Sequence, residues 1–324
     1  MPRFNIHHVT KYTYEGPVRD SANQILLFPI QDEHQELLKQ DLVITGDPAV
    51  DIYKDYYNNE VGSFTHAVPH SSLTIDSKLD IVTKPRPALT DETARDAQWA
   101  SLREIRWTVP YIDFLKQEHF ATLPELLATA RPEETLIHTP LEAAVRLRGF
   151  VFDHFKYIKG VTTVETTPDE VWKLKAGVCQ DFAHILLVLL RQINIPARYV
   201  SGYICPNKNG MRGEGATHAW IEAYIPINGW VGLDPTNNVI ADDLHVRLAV
   251  GRNFSDCSPV KGTYKGTAGQ ILEVGVSVSY EGEKGEGEFD GATILTPQAS
   301  KPGSGLEQNS YRRYMEMMQQ QQQQ

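Results

Sequence analysis

The spacing of apolar residues changes twice along this chain, and this change constrains the fold more than any other feature. Residues 4–14 and 73–82 alternate between apolar and polar side chains, which is the two-residue period of a β-strand. Residues 139–193 carry apolar residues at helical spacing, and the segments after Pro196 return to the pattern of strands. A chain that runs from strands to helices and back to strands predicts an α+β fold.

Turn-forming and proline-rich segments divide the chain into regions. Turn signals at residues 16–18, 46–48 and 56–62 separate the first strands, and the segment TKPRPALT follows them. The sequence therefore predicts an N-terminal antiparallel β-sandwich domain and a helical connection, followed by an α+β core and a polar, glutamine-rich, disordered tail. The predicted boundaries are 1–88, 89–138, 139–296 and 297–324.

Three helices are predicted in the middle of the chain. The first two begin with a threonine, a proline and a glutamate at the spacing of a capping box, in Thr139–Glu142 and Thr167–Glu170. Gly177 is expected to close the second helix in a left-handed conformation. The third helix is expected to begin near Cys179 and to end before Pro196, with its leucines in the core.

Charge and composition exclude several classes of protein. The chain has 324 residues, of which 31 are Lys or Arg and 41 are Asp or Glu, so its net charge is −10. An acidic chain without basic clusters does not favour nucleic acids or anionic membranes as partners. The first residues lack the apolar segment of a signal peptide, and the run ILLVLL is too short to span a bilayer. We therefore expect a cytoplasmic protein.

Cys179 is the first candidate for a reactive group. The chain has three cysteines, and their wide spacing does not predict a disulfide framework. Cys179 alone lies where an apolar helix begins, and the N–H groups and dipole of a helix N-terminus stabilise a thiolate. Cys205 and Cys257 do not open a helix, and we interpret both as structural.

His218 and Asp234 supply the other groups that thiol chemistry needs. A histidine can accept the thiol proton and later donate it to a leaving amine, while a carboxylate fixes its tautomer. His218 opens one predicted strand and Asp234 closes the next, with a turn at residues 226–229 between them. In an antiparallel hairpin the two side chains can face the same way, and directly opposed residues lie about 4.5–5.5 Å apart between Cβ atoms.

Other residues compete for these roles or modify them. His184 lies five residues after Cys179, about 140° around a helix, so we reject it as the base and assign it to packing. Asp181 caps the helix but partly opposes a thiolate. His7 and His8 face opposite sides of a strand, and no spacing of cysteine and histidine suggests a metal site. Each of the three candidate residues could also be an ordinary structural residue.

Three segments resemble the bacterial transglutaminase-like family, a branch of the papain-like cysteine enzymes. They are GVCQDFAHILLVLLRQINIPARYVSGYI, HAWIEAYIPINGWVGLDPTNN and GRNFSDCSPVKGTYKG, and the first residues, FNIHHVTKYTYEGPVRDSANQILLFP, resemble the β region that precedes the core. The resemblance covers about residues 1–282. It implies a papain-like core in which Cys179, His218 and Asp234 form the catalytic triad of a candidate cysteine protease or transglutaminase-like enzyme.

The predicted activity is a cysteine-dependent acyl transfer on amide bonds, without metal or cofactor. Cys179 is the nucleophile, His218 the acid and base, and Asp234 the residue that orients His218. The backbone N–H of Cys179 and the neighbouring Gln180 are the candidates for the oxyanion hole. Hydrolysis of a peptide or protein amide is favoured, with transfer to an amine, or a binding module without turnover, as alternatives. The glycine-rich loop at residues 205–217 is a predicted lid.

Overall fold

A computed structural model describes residues 1–135, 137–163, 166–205, 211–212 and 217–281. The predicted tail lies outside the described residues, as does most of the predicted lid. No helix within these described ranges is long and apolar enough to cross a membrane. The α+β class predicted from the sequence is confirmed.

The N-terminal region folds as a curled antiparallel sheet built around one long strand. Its first five strands are β1 (Arg3–Ile25), β2 (Gln35–Ile44), β3 (Asp51–Lys54), β4 (Glu60–His66) and β5 (His70–Thr83). The first half of β1 pairs with β5, and its last residues pair with β4. The predicted alternation is confirmed, since Phe4, Ile6, Leu73, Ile75 and Ile81 are all buried.

The turn predicted at residues 16–18 is wrong, because β1 continues through this segment. The pairing of β1 with β5 is instead irregular between Thr13 and Val18. Proline lacks an N–H, and within a sheet it is tolerated at such irregularities. Gly16 and Pro17 therefore mark the place where β1 changes partners rather than the end of the strand.

Helices follow the N-terminal sheet in the order of the chain. They are α1 (Arg95–Ile105), α2 (Tyr111–Leu115), α3 (Leu123–Ala130), α4 (Pro132–Thr135), α5 (Pro140–His154), α6 (Pro168–Leu174) and α7 (Cys179–Gln192). The capping boxes predicted at Thr139 and Thr167 are both present. The helix predicted to begin at Cys179 does begin there, and its leucines, from Leu186 to Leu190, are buried.

The core sheet lies against α7. Two short strands, β6 (Lys156–Tyr157) and β7 (Ala176–Gly177), pair in parallel just before this helix. The larger sheet contains β8 (Ala197–Ile204), β9 (Thr217–Ile225), β10 (Gly229–Asp234), β11 (Val239–Ile240) and β12 (His245–Gly251). Its strand order is β11-β10-β9-β8-β12, with antiparallel pairing throughout. Ala219, Ile221 and Ala223 of β9 belong to the same buried cluster as the apolar residues of α7.

The end of the described chain returns to the N-terminal sheet. After the short helix α8 (Phe254–Cys257), strands β13 (Val260–Lys265) and β14 (Gln270–Tyr280) both pair with β1. The predicted boundaries assign these strands to the core domain, but their hydrogen bonds join them to the first region instead. Pairing partners so distant in sequence leave no signal in the local pattern of residues 260–280.

Candidate active site

Cys179 is the first residue of α7 and is half-buried, whereas Cys205 and Cys257 are fully buried. At a helix N-terminus the first N–H groups have no partner within the helix, and here they include those of Cys179 and Gln180. Asp181 closes this end, because its Oδ2 accepts from the Val178 N–H at 2.8 Å and from the Thr162 hydroxyl at 2.7 Å. Burial raises the pKa of Asp181, while the hydrogen bonds from Thr162 and Val178 act in the opposite direction.

The role predicted for Gly177 is wrong. Helix α6 ends in a left-handed residue as expected, but this residue is Lys175, with a φ of 50°. Gly177 lies in β7, where an added Cβ would come within 2.4 Å of the Asp181 Oδ2. The glycine is therefore needed for the close approach of the residue that caps the cysteine helix.

His218 and Asp234 form a buried hydrogen-bonded pair. The His218 Nε2 lies 2.9 Å from the Asp234 Oδ2, and both side chains are inaccessible to solvent. The two residues are not directly opposed. Leu233 pairs with Ile221, so the register leaves Asp234 two residues away from a direct pair with His218. The prediction that they share a face is confirmed, and the contact is a diagonal one.

Four further nitrogen atoms surround the Asp234 carboxylate. Its Oδ1 accepts from the backbone N–H groups of Thr236 at 2.8 Å and Asn237 at 3.2 Å. Its Oδ2 is also 2.8 Å from the Asn237 Nδ2 and 3.4 Å from the Nε2 of a second histidine, His245. The segment after Asp234 thus folds back on it, and the carboxylate cannot rotate freely.

The electrostatics of the pair favour charge on both partners. Burial would lower the pKa of His218, but the charge and hydrogen bond of Asp234, with a smaller contribution from Cys179, raise it well above its usual value. Burial would raise the pKa of Asp234, but His218 and then His245 hold it far below its usual range. Asp234 therefore stabilises the imidazolium that His218 becomes when its second nitrogen takes up a proton.

Cys179 interacts with the same imidazole. Its hydrogen-bond and charge interactions both contribute to the raised pKa of His218. Because Nε2 is engaged by Asp234, the nitrogen left for the sulfur is Nδ1, which is buried and has no other hydrogen-bond partner within the described part of the chain. The structure therefore brings the three residues predicted from the sequence into one cluster.

Two neighbours of this cluster were not identified from the sequence. Tyr157 of β6 pairs with Gly177, and its ring lies 6.2 Å from that of Phe182 in α7. Burial raises the pKa of Tyr157, and interaction with Cys179 raises it further, so the hydroxyl remains protonated beside the thiol. His245 was also missed, because a histidine at the start of a strand carries no local signal for its contact with Asp234.

The rejected candidates have structural roles. The His184 Nε2 accepts from the Phe254 N–H at 3.2 Å, and burial lowers the pKa of His184 to about 4, which keeps the ring neutral. Burial also raises the pKa of Cys205 and Cys257, as expected for inert thiols. Within the described ranges, no group of three or more histidine, cysteine, aspartate or glutamate side chains has the geometry of a metal site.

The described part of the predicted lid contacts the site. The Asn237 Oδ1 accepts from the Arg212 N–H at 2.7 Å, and the Asn237 Nδ2 donates to the Arg212 carbonyl at 3.2 Å. Arg212 is therefore fixed to the residue that also holds Asp234. The remaining lid residues, except Cys205, Met211 and Thr217, lie outside the described residues.

Comparison with known proteins supports the family suggested by the sequence. The profile of the transglutaminase-like superfamily matches residues 129–235, which include Cys179, His218 and Asp234. The profile of the bacterial transglutaminase-like N-terminal region matches residues 4–82. An uncharacterized protein of Mycobacterium leprae is 31% identical over 285 residues, covering 86% of this chain and 99% of that protein. The chain belongs to the transglutaminase-like superfamily.

Two further proteins are similar to this chain, one in its fold and one in part of its sequence. A candidate cysteine protease from Cytophaga hutchinsonii has the same fold, with a TM-score of 0.69 and 20% identity, over 91% of this chain and 96% of that chain. A protein-glutamine gamma-glutamyltransferase of Pseudomonas aeruginosa is 31% identical over 112 residues, covering 32% of this chain and 17% of that protein. The names of these two proteins thus include both a protease and an acyltransferase.

Proposed function

We propose that this chain is a cysteine-dependent acyl-transfer enzyme that hydrolyses amide bonds in a peptide or protein. The observation that carries the proposal is the buried His218–Asp234 pair, which has a free ring nitrogen and a half-buried cysteine at a helix N-terminus beside it. Most buried polar atoms in folded proteins have a hydrogen-bond partner, so a buried ring nitrogen that faces a thiol calls for a functional explanation. An acyl-transfer enzyme needs this nitrogen free for the thiol.

In the first half of the reaction, His218 Nδ1 takes the proton of the Cys179 thiol. The sulfur then attacks the carbonyl carbon of the amide and forms a C–S bond, while the carbonyl oxygen becomes an oxyanion. The N–H groups of Cys179 and Gln180 are our candidates to stabilise this charge. The C–N bond breaks as the imidazolium of His218 donates its proton to the leaving amine, which leaves a thioester on Cys179.

In the second half, water attacks the thioester. His218 accepts a proton from the water as the C–O bond forms, and the C–S bond then breaks. The sulfur leaves as the thiolate of Cys179 and recovers its proton from His218, and the acyl group is released as a carboxylic acid. Throughout both halves, Asp234 keeps Nε2 as the protonated nitrogen and stabilises the imidazolium.

The same thioester can be resolved by an amine in place of water. The Pseudomonas aeruginosa protein named as a glutamyltransferase supports this second candidate, since it matches part of the same chain. In that case a primary amine forms the new C–N bond, and the product is a substituted amide. We favour hydrolysis because water is always present, whereas aminolysis requires a site that admits amines and limits water.

The first test is the rate at which iodoacetamide alkylates Cys179, measured against pH and assigned by mass spectrometry of the labelled peptide. We expect wild-type Cys179 to react rapidly near pH 7, while Cys205 and Cys257 remain unlabelled in the folded protein. In His218→Ala the pH profile of alkylation moves to higher pH, because the partner that accepts the thiol proton is absent. His184→Asn is the matched control, since it removes a different buried histidine, one that lies in α7 together with Cys179.

Substrate assays then separate the two reactions. A screen of glutamine-containing peptides and unfolded proteins is followed for new amino termini, for released ammonia and for incorporation of a fluorescent primary amine. Hydrolysis gives new termini or ammonia without incorporation, and transamidation gives incorporation. Slow alkylation with the same pH profile in wild type and His218→Ala would contradict the proposal and favour a binding module.

A further inference from the structure

A second histidine shares the carboxylate of the candidate triad. The His245 Nε2 lies 3.4 Å from Asp234 Oδ2, the same oxygen that contacts His218. The other nitrogen of His245 lies 3.1 Å from the Asp242 Oδ1, and the His245 side chain is 1% exposed. Trp220 packs against both rings, with centroid distances of 6.1 Å to His218 and 5.2 Å to His245. His245 is therefore held in a defined position beside Asp234.

The N-terminal region fixes the strand that carries His245. The Gln35 side chain donates to the Arg247 carbonyl and accepts from the Arg247 N–H, each at 2.8 Å. Asn59 makes the same pair of contacts with Val250, again at 2.8 Å each. Two amide side chains thus pair with β12 as a neighbouring strand would.

Apolar packing reinforces this attachment. Val246 and Leu248 of β12 are buried in the cluster that contains the apolar residues of β1 and β5. The Thr83 hydroxyl also donates to the carbonyl of Asp243, just before β12. Strand β12 is consequently fixed by the N-terminal sheet on one side, while its first residue contacts the candidate active site on the other.

We propose that His245 is a positioning residue for the triad, which holds the Asp234 carboxylate towards His218 and is itself held in place by the N-terminal region. This inference rests on the proposed function of Cys179, His218 and Asp234. A carboxylate that orients an imidazole must not turn away when the ring becomes charged. Asn237 and His245 donate to the same oxygen as His218, so loss of His245 would leave Asp234 with a single side-chain donor besides His218.

The charged surroundings of His245 define the form in which it acts. Burial and the nearby His218 oppose a charge on the ring, but Asp234 and Asp242 contact it and raise the pKa of His245. The cleft next to the ring is also lined by Lys84, Arg86, Arg247, His34 and Asp243. A proton on Nε2 is the one requirement of the proposal, because only then does the ring donate to Asp234.

Two substitutions of similar size separate the two contacts of His245. In His245→Gln the amide nitrogen can occupy the position of Nε2 and still donate to Asp234. In His245→Asn the shorter side chain reaches only the position of Nδ1, so the contact with Asp234 is lost. We expect the alkylation rate of Cys179 near pH 7 to fall about three- to tenfold in His245→Asn and to stay within about twofold of wild type in His245→Gln.

The pH profile distinguishes positioning from a general loss of structure. In His245→Asn we expect the profile of alkylation to move towards that of His218→Ala, whereas a merely loosened fold would also expose Cys205 and Cys257 to labelling. His138→Gln is the control, because this partly exposed histidine pairs with Glu142 away from the site. Equal rates and profiles in His245→Asn and wild type would overturn the inference.

A measurement on the wild-type protein keeps the test independent of folding of the variants. In protein labelled with ¹⁵N-histidine, NMR should show the Nε2 of both His218 and His245 protonated at neutral pH. An unprotonated Nε2 on His245 would overturn the inference even if no variant folds. The proposed function fails separately, when His218→Ala leaves the alkylation of Cys179 unchanged.

Discussion

Two buried carboxylates lie in the core sheet, and they differ in the groups that neutralise them. Glu222 of β9 is surrounded by three arginines, with Arg198 Nε at 2.8 Å and nitrogens of Arg86 and Arg247 at 3.7 Å. Asp234 of β10 is instead surrounded by two histidines, an amide and backbone N–H groups. Both have a lowered pKa and are inaccessible to solvent.

The difference between the two carboxylates indicates their roles. Arginine remains charged at any pH a protein tolerates, so the charges around Glu222 are permanent and suit a structural contact. Histidine can take up and release a proton during a reaction, so the charges around Asp234 can change. A buried carboxylate with titratable partners is therefore the better place to look for chemistry.

The largest effect is expected from Asp234→Asn. The amide cannot stabilise an imidazolium or hold its tautomer, so amide hydrolysis should fall by on the order of 10³-fold or more. Turnover of the best peptide from the substrate screen checks this expectation, together with alkylation of Cys179. If Asp234→Asn kept half of the wild-type turnover, Asp234 would be a structural carboxylate like Glu222 and not part of the chemistry.

Glu222→Gln should affect stability and leave chemistry unchanged. Removing one partner of a buried ion pair leaves Arg198 without its anion, while Arg247 keeps its ion pair with Asp32, and the free energy of unfolding should fall by about 3 kcal/mol. Urea denaturation followed by circular dichroism measures this loss. Alkylation of Cys179 in the folded variant should stay within about twofold of wild type, and a larger loss would connect Glu222 to the site.

A smaller effect on the free energy of unfolding is expected when the pH is raised. The folded-state pKa values of His218 and His245 are raised, so their contribution to stability is complete below about pH 6.5, the unfolded value, and is lost as the pH rises above it. We expect the free energy of unfolding to fall by about 1 kcal/mol or more between pH 7 and pH 9.

The two carboxylate variants sharpen this pH prediction. The alkaline loss should be smaller in Asp234→Asn, where the histidines lack their anionic partner. It should persist in Glu222→Gln, because arginines do not titrate in this range. Denaturation curves at several pH values provide the comparison, and an equal alkaline loss in Asp234→Asn would assign the effect to other groups.

Local sequence signals predicted the helix that carries Cys179 and the strands that carry His218 and Asp234. The caps at Thr139 and Thr167 depend on residues three positions apart, and the alternation of β9 depends on its own side chains. Such features are fixed within a few residues, so the sequence predicts them well.

Features that depend on distant partners could not be predicted in this way. The continuation of β1 past Pro17 depends on a change of neighbouring strands, and the return of β13 and β14 depends on the free edges of β1. His245 lies on β12, whose position depends on contacts with Gln35 and Asn59, more than 180 residues earlier in the chain. One sequence contains no local pattern for such contacts.

The contacts of Gln35 and Asn59 also bear on how the core avoids self-association. Strand β12 is an edge strand of the core sheet, and an edge with free N–H and carbonyl groups can act as a template for strands of other molecules. The two amides occupy that edge without extending the sheet. A core separated from its first 88 residues would expose the edge of β12, and aggregation would then compete with folding.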